Sequence, residues 1–119
     1  MPLPPISDLL KKHCTACAPG TPPLDESAVR ERIRDLPGWE LLGKEIAKTY
    51  KFANYYETLA FVNATAWISH HEDHHPDLEV GYNKCRVRYS THSVGGLSEN
   101  DLICAARVDA LLTSPAQPS

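Results

Sequence analysis

Between residues 24 and 112 the spacing of apolar side chains switches between helical and strand-like periods. Val29, Ile33 and Leu36 recur at i, i+4 and i+7 behind the acidic start Asp25–Glu26, and Pro37–Gly38 stops the run, which predicts a first helix over about 25–35. Trp39 to Leu42 and Glu45 to Phe52, parted by Gly43, predict two strands joined by a short turn. Ile46, Tyr50 and Phe52 share one face of the second strand, and Lys48 interrupts it. From Asn54 to about Asp73 there is neither Pro nor Gly, and Tyr55, Leu59, Val62 and Ala66 form an apolar stripe at helical spacing, so the longest element is a second helix.

Leu78, Val80 and Tyr82 alternate, as do Cys85, Val87 and Tyr89, with Arg86 and Arg88 on the opposite face and Asn83–Lys84 near the reversal, which predicts a hairpin. One of its strands is expected at a sheet edge, which needs pairing or protection. Ser98 followed by Asp101 resembles a capping box with Asp in place of Glu, and Cys104, Val108, Leu111 and Leu112 continue a third helix over about 99–112. The order α-β-β-α-β-β-α reads as an α+β fold: one domain, with three helices packed on one face of a four-stranded antiparallel sheet.

Prolines set the boundaries. Six of the ten lie within residues 1–23 and two more at 115 and 118, so residues 1–23 read as a Pro-rich arm, 24–113 as the domain and 114–119 as a loose tail. A chain of 119 residues has room for one core. Its formal charge of −3 provides no electrostatic footprint for a phosphate backbone, which argues against direct nucleic-acid binding. No apolar run approaches the roughly 18 residues needed to span a bilayer, and residues 1–12 lack the pattern of a secretion signal, so a cytoplasmic protein with reduced thiols is expected. Cys14 and Cys17 make a C-x2-C beside His13, but no second pair stands nearby to close a four-ligand zinc site, and Cys85 and Cys104 sit in patterned segments where a thiol packs as a small hydrophobe.

Chemistry concentrates in the histidines. Five of the six are His70, His71, His74, His75 and His92, and four of them crowd the end of the long helix. Interaction with the helix dipole accounts for one or two of them. His71–His75 satisfies H-E-x-x-H as a string, but Pro76 disfavours helix at His75, where the metalloprotease geometry needs it. The pairs His70/His74 and His71/His75 have the i, i+4 spacing of metal ligands without an assignable further ligand. The third reading makes His74, His75 and His92 acid–base groups around a small polar substrate, since imidazole exchanges protons near neutral pH.

H-H-P at 74–76, Tyr82 within Y-N-K at 82–84, S-T-H at 90–92 and G-L-S-E-N-D at 96–101 form an ordered set that resembles the pterin-4a-carbinolamine dehydratases over about Leu24 to Leu112. The resemblance implies a hydro-lyase that converts 4a-hydroxytetrahydropterin, the carbinolamine left by aromatic amino acid hydroxylation, to quinonoid dihydropterin and water. It implies no cofactor and no metal: an acid protonates the departing hydroxyl and a base accepts the N5 proton. His74 and His92 then correspond to the acid–base pair and His75 to an auxiliary histidine, with His70, Pro76, Ser90, Thr91 and Asp101 around the substrate. Asp101 has an equal claim to a structural role at the start of the last helix. The resemblance also implies a homodimer or homotetramer, and the pathway of an aromatic amino acid hydroxylase. Two departures fall near this pocket, His70 where the family often has Glu and Leu78 where it often has Trp, and some relatives serve as non-catalytic binding or assembly modules. His71 and Glu72 match no family site position and are expected at the surface.

Overall fold

The computed structural model describes residue 10, residues 12–18 and residues 20–113. The expected tail over 114–119 and most of the first eleven residues lie outside these. Helix α1 (Glu26–Ile33) leads to β1 (Glu40–Leu42) and β2 (Glu45–Lys51), then α2 (Tyr55–Glu72), β3 (Asp77–Val80), β4 (Lys84–Tyr89), a single 3-10 turn (His92–Val94) and α3 (Glu99–Thr113). The strands form one antiparallel sheet in the order β1-β2-β4-β3. Gly43 turns the chain between β1 and β2 at φ +64°, in the left-handed region where a Cβ is disfavoured. This is the expected α+β architecture, with β3 at the expected edge.

The pairing register puts Ile46 opposite Tyr89, Lys48 opposite Val87 and Tyr50 opposite Cys85, so these six share the face that carries the core. All but Lys48 are buried there, and Phe61, Ile68, Leu102, Ile103 and Val108 pack down on them from α2 and α3. Each such side chain contributes on the order of 1.5–3 kcal/mol when buried. Lys48 is tolerated on this face because its Nζ reaches Asp109 Oδ1 of α3 at 3.0 Å, where Trp39 Nε1 (3.2 Å) and the Tyr50 hydroxyl also donate.

The long helix is rotated from expectation. Its buried stripe is Thr58, Phe61, Thr65, Ile68 and Glu72, whereas Tyr55, Leu59 and Ala66 face outward and Val62 is only half-buried. The two threonines are admitted to the core because their hydroxyls find carbonyls: Thr58 Oγ1 donates to Asn54 O and Tyr82 O, both at 2.9 Å, and Thr65 Oγ1 to Val62 O at 2.7 Å. Val80, Tyr82 and Leu112, expected among inward positions, are exposed. No helix among the described residues is long and apolar enough to cross a membrane.

Candidate active site

Two helix ends meet over the end of β4. At its C-terminus α2 stops after Glu72 because Asp73 adopts the left-handed conformation (φ 50°, ψ 42°), and the amides of Asp73 and His74 both return to Ser69 O. That single residue turns His74 inward. On the other side the chain leaves β4 through Ser90 and Thr91, closes a bridge between Thr91 and Gly96, and enters α3 at Glu99. Asp101 lies in the first turn of α3, and its side chain is fully buried.

Three donors converge on the Asp101 carboxylate. His74 Nε2 donates to Oδ1 at 2.6 Å, while Thr91 Oγ1 (2.7 Å) and the Ser98 amide (3.0 Å) donate to Oδ2. With the Thr91 hydrogen committed to Asp101, Ser98 Oγ donates to Thr91 Oγ1 at 2.8 Å. The Ser98 amide bond is the capping-box contact expected from the sequence, which fills the structural role weighed for Asp101, and the same carboxylate also orients a histidine. In the neutral imidazole, donation from Nε2 puts the lone pair on Nδ1.

Thr91 separates two concavities. One, of about 380 Å³, is lined by His74, Thr91, Ser93 and Asn100, by Glu72 and Asp73, and by Cys14–Cys17 of the N-terminal arm. The other, of about 470 Å³, is lined by Ser90, Thr91, His92, Gly95 and Gly96 together with Leu42, Lys44 and Glu45. Both volumes fall in the range of about 300–1,000 Å³ usual for small-molecule sites. Strand end and helix end therefore meet at Thr91, with His74 and His92 lining neighbouring hollows. His92 and His75 are exposed, Ser90 and Pro76 are half-buried, and His70 is exposed on α2 in edge-to-face contact with His71. His70, His75 and Pro76 belong to neither lining.

The H-E-x-x-H string does not form the expected ligand geometry, because the helix ends between its histidines. His71 Nδ1 donates back to Trp67 O at 2.9 Å and its ring stacks on Trp67. Glu72, expected at the surface, is buried: Cys14 N donates to Oε1 at 2.7 Å, His13 Nδ1 to Oε2 at 2.9 Å, and Arg107 Nε lies 3.7 Å away. Burial works against the Glu72 charge, but the Cys14 amide, His13 and Arg107 together outweigh it and hold the carboxyl below its ordinary range. Cys14 Sγ lies 3.6 Å from Cys104 Sγ, and the hydrogen bond between them, with burial and the carboxylates of Glu72 and Asp101, pushes the Cys104 thiol far up, so it stays protonated. Asn100 falls within the G-L-S-E-N-D motif, but the sequence assigned it no role. Its side-chain partner is Thr15, 85 positions away, which no local pattern reveals.

Residues 22–111 match the family model described as pterin 4 alpha carbinolamine dehydratase. A protein of Nitrosospira multiformis provisionally named pterin-4-alpha-carbinolamine dehydratase is 58% identical over 106 residues, which cover 89% of this chain and 94% of that one. One of the same name from Nitrosomonas eutropha is 56% identical over 110 residues, 92% of this chain and 97% of its own. Among solved structures, a transcriptional coactivator/pterin dehydratase from Brucella melitensis matches with a TM-score of 0.72 at 31% identity, over 75% of this chain and 97% of that one. A pterin dehydratase-like protein described as a RuBisCO assembly factor in the alpha-carboxysome matches with a TM-score of 0.56 at 31% identity, over 65% and 92% of the two chains.

Proposed function

Since the chain belongs to the pterin 4 alpha carbinolamine dehydratase family, we propose that it dehydrates 4a-hydroxytetrahydropterin to quinonoid dihydropterin and water by histidine acid–base catalysis. The observation that carries this reading is the buried Asp101 carboxylate, which fixes His74 with Nδ1 free to take a proton. In the proposed step His74 Nδ1 accepts the N5 proton while His92 gives a proton to the 4a hydroxyl. The C4a–O bond breaks, a C4a=N5 double bond forms, and water leaves. The reaction is redox-neutral, and proton exchange with solvent at each histidine restores both. His75 is assigned an auxiliary role, and Ser90, Thr91, Pro76, His70 and Asp101 the surroundings of the substrate.

The reading includes recycling of the tetrahydropterin of an aromatic amino acid hydroxylase in the cytoplasm, by a homodimer or homotetramer. The outward stripe of Tyr55 and Leu59 on α2 and the edge strand β3 support self-association. As units of this reading, residues 1–23 are the arm, 24–113 the dehydratase domain and 114–119 the tail.

The test is the initial rate of 4a-hydroxytetrahydropterin dehydration by wild type, His74→Ala and His92→Ala. Each substitution is expected to lower the rate by about 10²- to 10⁴-fold with the circular dichroism spectrum retained. Unchanged rates in both variants remove the acid–base assignment. A second reading, a non-catalytic assembly or binding module, is favoured by the solved relative described as a RuBisCO assembly factor and by His70 and Leu78 at the departing positions. A folded wild type with no rate above background selects it.

A further inference from the structure

Residues 12–17 of the N-terminal arm lie ahead of the residues matched by the family model, yet they are bonded to both helix ends that carry the His74–Asp101 pair. On the α2 side, Glu72 accepts from Cys14 N at 2.7 Å and from His13 Nδ1 at 2.9 Å. On the α3 side, Asn100 brackets Thr15: its Oδ1 accepts from Thr15 N at 3.1 Å and its Nδ2 donates to Thr15 O at 2.8 Å. This two-way pairing imitates a rung of a β-ladder, with a side-chain amide in place of the second strand. Arg107 adds a bond from its guanidinium to Lys12 O, and Lys12 Nζ reaches Glu99 Oε1 at 2.9 Å.

The positions on the helices are what matter. Glu72 stands two residues before His74, and Asn100 stands next to Asp101. The arm thus spans from the last turn of one helix to the first turn of the other, directly beside the bond between histidine and carboxylate. A carboxylate taken out of water requires compensating partners, and for Glu72 two of those partners come from the arm. Geometry at an acid–base site is sensitive to shifts well below the length of a side chain.

We infer that residues 12–17 are a positioning element of the acid–base site: they hold the ends of α2 and α3 at the spacing that lets His74 Nε2 reach Asp101 Oδ1. The expected effect on rate rests on the dehydratase reading; the expected effect on the histidine does not.

Two variants loosen the arm without touching the pair. Thr15→Pro removes the donor amide at a position whose side chain is exposed, and Asn100→Ala removes both bonds. The readouts are the Nε2–H resonance of His74 in nitrogen-15 labelled protein, assigned by its loss in His74→Ala, and the kcat and KM for 4a-hydroxytetrahydropterin. Both variants are expected to broaden or lose that resonance and to lower kcat by about 10- to 100-fold, with KM changed by less than about twofold. A lower melting temperature with the resonance and kcat both unchanged means that the arm is structural only, and overturns the inference, as does a wild type in which the resonance is absent. If wild type shows the resonance but no turnover, the dehydratase reading fails, and the response of the resonance to Thr15→Pro alone decides the positioning role.

Discussion

The rings of His74 and Tyr89 lie nearly parallel, 12° apart with centroids separated by 5.8 Å, so the last residue of β4 supports the histidine from below. Tyr89 is fully buried, and burial first, then the neighbouring Cys104, pushes its phenol well up, which keeps it a neutral platform. With Asp101 at Nε2 and Ser69 O accepting from its amide, His74 is held on three sides. Such constraint is what a proton-transferring group needs to face its substrate in one orientation.

Asp101→Asn is expected to lower dehydration by about 100-fold or more, because an amide offers Oδ1 and Nδ2 where His74, Thr91 and the Ser98 amide all require acceptors. One donor then faces a donor, and the imidazole is no longer tied by Nε2. Steady-state rates beside a thermal melt check this: a folded variant with the wild-type rate would show that the carboxylate serves only the cap.

Glu72 makes the docking of the arm acid-sensitive. Its folded value lies below the ordinary 4.5, so its contribution is fully present above 4.5 and is lost as the pH falls through the lower, folded value. Urea midpoints measured from about pH 6 down to about pH 3 should therefore fall more steeply for wild type than for Glu72→Gln. Parallel curves would mean that the carboxylate gains nothing from the arm.

Asp109 gathers Trp39, Lys48 and Tyr50 under α3. Asp109→Ala leaves three donors without this acceptor and is expected to destabilise the fold by about 3 kcal/mol, with Asp109→Asn costing less because one oxygen remains. Burial and then the Asp109 carboxylate push the Tyr50 phenol far up, so Tyr50 stays a donor throughout the ordinary pH range. Equal denaturation midpoints for wild type and Asp109→Ala would contradict this account.

Leu59→Glu puts a charge in the middle of the outward stripe of α2, where Tyr55 and Leu59 are 49% and 37% exposed. Sedimentation should show an assembly for wild type and a monomer for the variant, with the helix content unchanged. A monomeric wild type at micromolar concentration would leave the stripe without a role in self-association.

The element order was legible because the strands announce themselves: Cys85, Val87 and Tyr89 alternate cleanly, and all three are buried. The orientation of α2 was not, since polar Thr58, Thr65 and Glu72 occupy three of the five positions in its buried stripe while Tyr55 and Leu59 lie outside. A threonine that bonds a carbonyl, or a carboxylate neutralised by residues far away in sequence, hides an inward face from any count of apolar positions. For the same reason His74, Thr91 and Asp101 could be found by local motif, whereas Glu72 and Asn100 could not: their meaning comes from Cys14 and Thr15, separated from them by 58 and 85 positions.

The left-handed Asp73 leaves a single residue of slack between Glu72, tied to the arm, and His74, tied to Asp101. Each residue added to a helix rotates the chain beyond it by about 100° and advances it by about 1.5 Å. An inserted codon here would swing the imidazole away from its carboxylate or pull the glutamate from its cradle. The connection is thus open to drift by replacement but closed to changes of length, and alignments of functional descendants should show gaps elsewhere.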